Sequence, residues 1–89
     1  MQQKLGPIGQ ILDDKLRAAF SPTQLQVIDE SNQHHGHSGA HPSGESHFRV
    51  LISATAFTGK TRVARHRMVN EVLALELKSR VHALAIEVN

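Results

Sequence analysis

Over residues 7–20 the apolar positions recur at helical spacing. Ile8, Ile11, Leu12, Leu16 and Ala19 fall to one side, with Asp13, Asp14 and Arg17 opposite. Pro7 suits the first turn of such a helix, because its missing N–H has no intrahelical partner there. Ser21-Pro22 stops the helix, since the residue before a proline is disfavoured in the α region. Alternation then replaces helical spacing: Leu25 and Val27 interleave with polar neighbours and predict a strand over 23–31. Gly36, Gly39, Pro42 and Gly44 break any regular pattern across 32–46, which reads as a loop. A second strand is predicted at 47–54. It carries Phe48, Val50 and Ile52 on one face and His47, Arg49, Leu51 and Ser53 on the other.

Phe57-Thr58-Gly59 reads as a turn into a basic helical segment at 60–65, followed by a longer helix at 66–79. Val69, Val72, Leu73 and Leu77 form the apolar stripe of that helix, and Leu75 lies off its centre, where partial exposure is expected. A last strand is predicted at 81–88. His82, Leu84, Ile86 and Val88 share the phase that faces the helices, and Val81, Ala83 and Ala85 the other. The order is α-β-β-α-α-β. Strands 2 and 3 are separated by about 25 residues of helix, enough for a right-handed parallel crossover. Strands 1 and 2 are joined by a hairpin-type loop and should be antiparallel. The fold class is therefore α+β: a single domain over 1–89, with a mixed three-stranded sheet covered by helices on one face.

Composition narrows the chemistry. At 89 residues the chain is toward the lower end of sizes that fold without staples, and its stability should be roughly 4–13 kcal/mol. It has no cysteine, no signal segment and no long apolar run, so a cytoplasmic protein without membrane contact is expected. The net charge is only +2, but Lys60, Arg62, Arg65 and Arg67 cluster within 60–67 with no acidic residue among them. Such a patch attracts nucleic acid or an acidic partner, or is simply a solvated helix face. Seven histidines are present, and four of them, His34, His35, His37 and His41, fall within eight positions of the loop. Neutral imidazole is a common metal ligand, whereas soft metal centres usually need thiolates that this chain lacks. Either the metal suits nitrogen ligands alone, or a partner brings the sulfur.

Enzymatic readings fail on motif grounds. Thr58-Gly59-Lys60-Thr61 follows a strand and precedes a helix as a phosphate loop would, but position 54 is Ala where that loop needs Gly. No serine elbow is present, and Asp13-Asp14 and Asp29-Glu30 are adjacent in sequence, which points their side chains apart. Histidine remains. Of the histidines beyond the loop, His82 opens the last strand, His66 sits where the two helical segments should meet, and His47 begins strand 2.

The run Asp29-Glu30-Ser31, then His34, then Gly44-Glu45-Ser46-His47-Phe48-Arg49-Val50 resembles the BolA family. So do Phe57-Thr58-Gly59, Arg65-His66-Arg67-Met68-Val69 and Val81-His82-Ala83-Leu84-Ala85, in the family's order across about 60 residues. The resemblance implies a type II KH-like fold, which agrees with the element order read from the pattern. It implies a non-enzymatic adaptor that forms a heterodimer with a monothiol glutaredoxin and shares a [2Fe–2S] cluster with it. The glutaredoxin gives its cysteine and a bound glutathione thiol. The BolA-like chain gives the histidine matching His82 and a loop residue matching His34. The loop is longer here than in typical members and adds His35, His37 and His41, so His34 ranks first, His37 second, and His35 and His41 after them. His66 and His47 would be structural or supporting residues. No cluster is expected in the isolated protein.

The resemblance also implies an alternative, a DNA-binding transcriptional regulator acting through the basic helix-turn-helix region 59–69, with Lys60, Arg62, Arg65 and Arg67 as the positive elements. Gly59-Lys60-Thr61-Arg62 lacks the second glycine of the GXXG clamp that nucleic-acid-binding KH modules use. A third reading, from the residues alone, is a nitrogen-ligand buffer for zinc, copper or nickel in the 34–41 tract.

Overall fold

Helix α1 spans Pro7–Phe20, the range that the proline and the apolar spacing predict. Its C-terminus is closed by Ser21, in the left-handed region at φ 45°, whose N–H donates to the Arg17 carbonyl at 3.0 Å. The computed structural model describes residues 5–31 and 45–89; the loop histidines His34, His35, His37 and His41 lie outside the described residues. Among the described residues three strands follow: β1 at Gln24–Asp29, β2 at His47–Ser53 and β3 at Ala83–Val88. The sheet order is β1-β2-β3. β1 runs antiparallel to β2, with Leu25 opposite Ile52 and Val27 opposite Val50. β2 runs parallel to β3, with Phe48, Val50 and Ile52 opposite Leu84, Ile86 and Val88. The apolar sets therefore align on one face, as the alternation predicts.

After β2 a single 3₁₀ turn, Thr55–Phe57, leads through Gly59, whose φ of 77° favours glycine, into helix α2 at Arg62–Val72. Thr61 caps α2, its Oγ1 accepting from the Ala64 N–H at 3.1 Å. Helix α3 occupies Ala74–Ser79. Two helical segments were expected to meet near residue 66; they meet instead at Leu73. Nothing between Arg62 and Val72 breaks a helix, and the bend leaves the four-residue spacing of Val69, Leu73 and Leu77 intact. Periodicity alone is blind to such a bend.

The core lies between the helices and the apolar sheet face: Leu12, Leu16, Leu25, Val27, Phe48, Val50, Ile52, Phe57, Val69, Leu73 and Val81 are buried. α1 packs on β1, α2 on β3, and the two helices on each other. Phe57 closes the far end of α1 against Phe20, with ring centroids 4.9 Å apart. Lys15 Nζ on α1 meets Glu76 Oε2 on α3 at 2.8 Å. Leu75 is 70% exposed, as its place off the stripe suggested. Among the described residues no helix is long and apolar enough to cross a membrane.

Candidate functional site

One end of the sheet is tied together by serines. The Asp29 carboxylate accepts from the Ser31 N–H at 2.9 Å, a local turn that brings Ser31 in at the end of β1. Ser31 Oγ then accepts from the backbone N–H groups of Ser46 at 2.9 Å and His47 at 3.3 Å. The positions flanking residues 32–44 are thus bonded to each other. Ser46 in turn offers its carbonyl to the N–H groups of His82 at 2.7 Å and Ala83 at 3.3 Å. Ser31, Ser46, His47 and His82 therefore gather at the end where β3 begins.

His82 itself departs from expectation. Alternation along 81–88 places its side chain on the helix-covered face, yet β3 starts only at Ala83 and His82 is exposed. Side-chain alternation holds only within a paired ladder, and His82 precedes the first paired position. Its ring lies beside that of His47, with centroids 6.2 Å apart and planes inclined by 26°. His47, predicted on the open face of β2, is only 8% exposed, and its Nδ1 shares a hydrogen bond of 2.9 Å with Ser46 Oγ.

Glu45 secures the same corner from the other side. Gly6, the N-cap of α1, has no side chain to satisfy the first-turn N–H groups. The Glu45 carboxylate satisfies one of them from 36 positions away, its Oε2 accepting from the Gly9 N–H at 2.9 Å. A methyl group on Gly6 would sit 2.6 Å from Glu45 Oε1, so the approach needs glycine there. Glu45 holds φ at 59°, an uncommon value for a residue with a side chain. Neither Glu45 nor the two serines carry a periodic signal. Only their place inside the runs that carry the family resemblance marks them.

The basic residues divide into two groups. Arg62, Arg65 and His66 line a groove of about 430 Å³ together with Ile86, Glu87, Val88 and Asn89. Arg65 Nε donates to the Lys60 carbonyl at 3.0 Å. Arg67 is exposed on another side of α2, four residues on from Val63, which is 60% exposed. His66 thus lies within α2, not at a helix junction, and beside the C-terminal end of β3. β3 has six residues, about 20 Å at ~3.3 Å each, and His82 stands before its first. The groove and the serine-tied corner are at opposite ends of the strand. On the open sheet face Arg49 bridges Glu30 at 2.9 Å and Glu87 at 3.1 Å. The hydrogen bond to Glu30, then that to Glu87, pushes its guanidinium pKa above the ordinary value.

Among the described residues no trio of His, Cys, Asp or Glu is gathered so as to hold a metal ion unaided. A family model described as BolA-like protein matches residues 16–89. A Sinorhizobium protein known by its place in the cobS 5′ region is 52% identical over 77 residues, covering 85% of this chain and 83% of its own. The DNA-binding transcriptional regulator BolA of Escherichia coli is 47% identical over 75 residues, covering 84% of this chain and 68% of its own. The structure of the BolA domain of SufE1 from Arabidopsis thaliana superposes with a TM-score of 0.87 at 42% identity, over 97% of this chain and 94% of that one.

Proposed function

Because this chain belongs to the BolA family, we propose that it is a non-enzymatic adaptor for a monothiol glutaredoxin, co-ligating a bridging [2Fe–2S] cluster in iron–sulfur trafficking and iron homeostasis. The observation that carries this reading is the exposed imidazole of His82 at the sheet end where both flanks of the 32–44 segment are fastened.

The donor set fits a shared cluster and not a private one. A [2Fe–2S] cluster takes four protein-side ligands, and imidazoles can replace both thiolates on one iron. This chain has no thiolate, so His82 and a loop histidine, His34 first and His37 next, would hold the cluster from this side, and the glutaredoxin cysteine and glutathione would supply the sulfur ligands. When bound, the cluster supplies a redox-active centre whose potential is raised by the nitrogen ligands. The chain's own part is to present a neutral imidazole, because a protonated one cannot coordinate. Ser46 fixes the backbone from which that imidazole projects.

The test is reconstitution with a monothiol glutaredoxin and glutathione under anaerobic conditions. A cluster chromophore distinct from that of the glutaredoxin alone should appear only in the mixture and should be lost with His82→Ala. An identical spectrum with and without the imidazole at 82 would sink the reading.

A second reading, DNA binding through 59–69, is favoured by the name of the Escherichia coli relative and by the exposure of Lys60, Arg62 and Arg67. Each phosphate contact contributes about 0.9 to the salt slope of binding. Arg62→Ala should lower that slope by about 1, and a flat salt dependence would eliminate this reading.

A further inference from the structure

We infer that His47 is a positioning residue that fixes the ring orientation of His82. The inference rests on the reading of His82 as a ligand and adds what holds that ligand in place.

His82 occupies a bend before β3, exposed, with its backbone tethered to Ser46. A tethered backbone does not fix the side chain, which still has two torsions to settle. The constraint comes from a neighbour: the His47 ring lies nearly parallel to it, at 6.2 Å between centroids and 26° between planes. That is the range of offset-stacked aromatic pairs. His47 can act as a wall because it is itself held. It is only 8% exposed, its Nδ1 is bonded to Ser46 Oγ at 2.9 Å, and its N–H donates to Ser31 Oγ at 3.3 Å. Ser46, fully buried, serves both histidines, with its carbonyl on the His82 backbone and its hydroxyl on the His47 ring. Backbone and ring of His82 are therefore referenced to one buried residue.

Holding one rotamer ready removes the ordering cost of that side chain from association, a gain of about three- to tenfold. The flat ring provides the constraint, and burial and the backbone bond to Ser31 hold it even without the Nδ1 bond to Ser46, so phenylalanine should replace His47 and leucine, of comparable bulk but without a flat face, should not.

Side-chain χ1 couplings of His82 are measured by NMR in the isolated protein for wild type, His47→Phe and His47→Leu. One rotamer is expected in wild type and His47→Phe, and averaged couplings in His47→Leu. Transfer of the cluster from the glutaredoxin complex to a chelator should then be about three- to tenfold faster for His47→Leu, with His47→Phe restoring most of the loss. Couplings unchanged in His47→Leu, or averaged equally in both variants, would overturn the positioning role. If wild type forms no shared cluster, the ligand reading fails separately, while the couplings still decide whether His47 orients His82.

Discussion

Replacing Glu45 tests whether the corner carrying His82 is fastened to α1. The Glu45 carboxylate stands in for the missing side-chain cap of Gly6 and accepts from the Gly9 N–H at 2.9 Å. Loss of a cap costs about 1 kcal/mol. Removing an anion from a helix N-terminus costs a further 0.3–1 kcal/mol or so. Glu45→Ala should therefore destabilise by about 1.5 kcal/mol, which lowers the melting temperature of a chain this size by about 6–12 °C. Glu45→Gln keeps the acceptor and loses only the charge, so its shift should be less than half as large. Glu45→Gly loses the cap but relieves the φ of 59°, a conformation that costs about 1–2 kcal/mol with a side chain, and should fall near the parent. Gly6→Ala should displace the same carboxylate, since its methyl would lie 2.6 Å from Oε1. Combined with Glu45→Ala it should cost less than the sum of the two. Thermal melts followed by circular dichroism, with urea titration as a check, give the values for all five variants. Additive losses would show that Gly6→Ala does not act through this carboxylate, and Glu45→Ala melting within about 2 °C of the parent would show that the contact contributes nothing.

Two further substitutions probe the frame. Leu16 is fully buried on α1, so Leu16→Ala should remove about 2–5 kcal/mol, a large share of the roughly 4–13 kcal/mol expected for the chain, read from the urea midpoint. Gly59→Ala meets no atom within 4 Å, so its cost is the backbone conformation at φ 77° alone, about 1–2 kcal/mol by the same denaturation and less than that of Leu16→Ala.

The elements were legible where one local signal governs them. α1 runs over the predicted range because Pro7 and the Ser21-Pro22 step act within the chain itself, and Phe48, Val50 and Ile52 share a face because pleating has a period of two. β1 is shorter than predicted at both ends, since its limits are set by pairing with Phe48 to Ser53 rather than by its own residues. The bend at Leu73 and the exposure of His82 were illegible for related reasons. The first preserves the helical spacing, and the second belongs to a residue just outside the ladder that gives alternation its meaning. The serine links among Ser31, Ser46 and His47 join positions 15 or 16 apart through hydroxyls, which no hydropathy pattern records. The histidine at 82 could be singled out from the sequence only through the family resemblance, while its stacking on His47 needed coordinates.

The most direct test labels the histidines of this chain alone with ¹⁵N and pairs it with unlabelled glutaredoxin and glutathione. Pulsed electron paramagnetic resonance of the reduced cluster then reports nitrogens bonded to iron. Strong ¹⁵N couplings from two imidazoles are expected in the wild-type complex, and both should disappear with His82→Ala as the shared cluster is lost. Couplings absent in the wild-type complex, or undiminished without the imidazole at 82, would contradict ligation by His82.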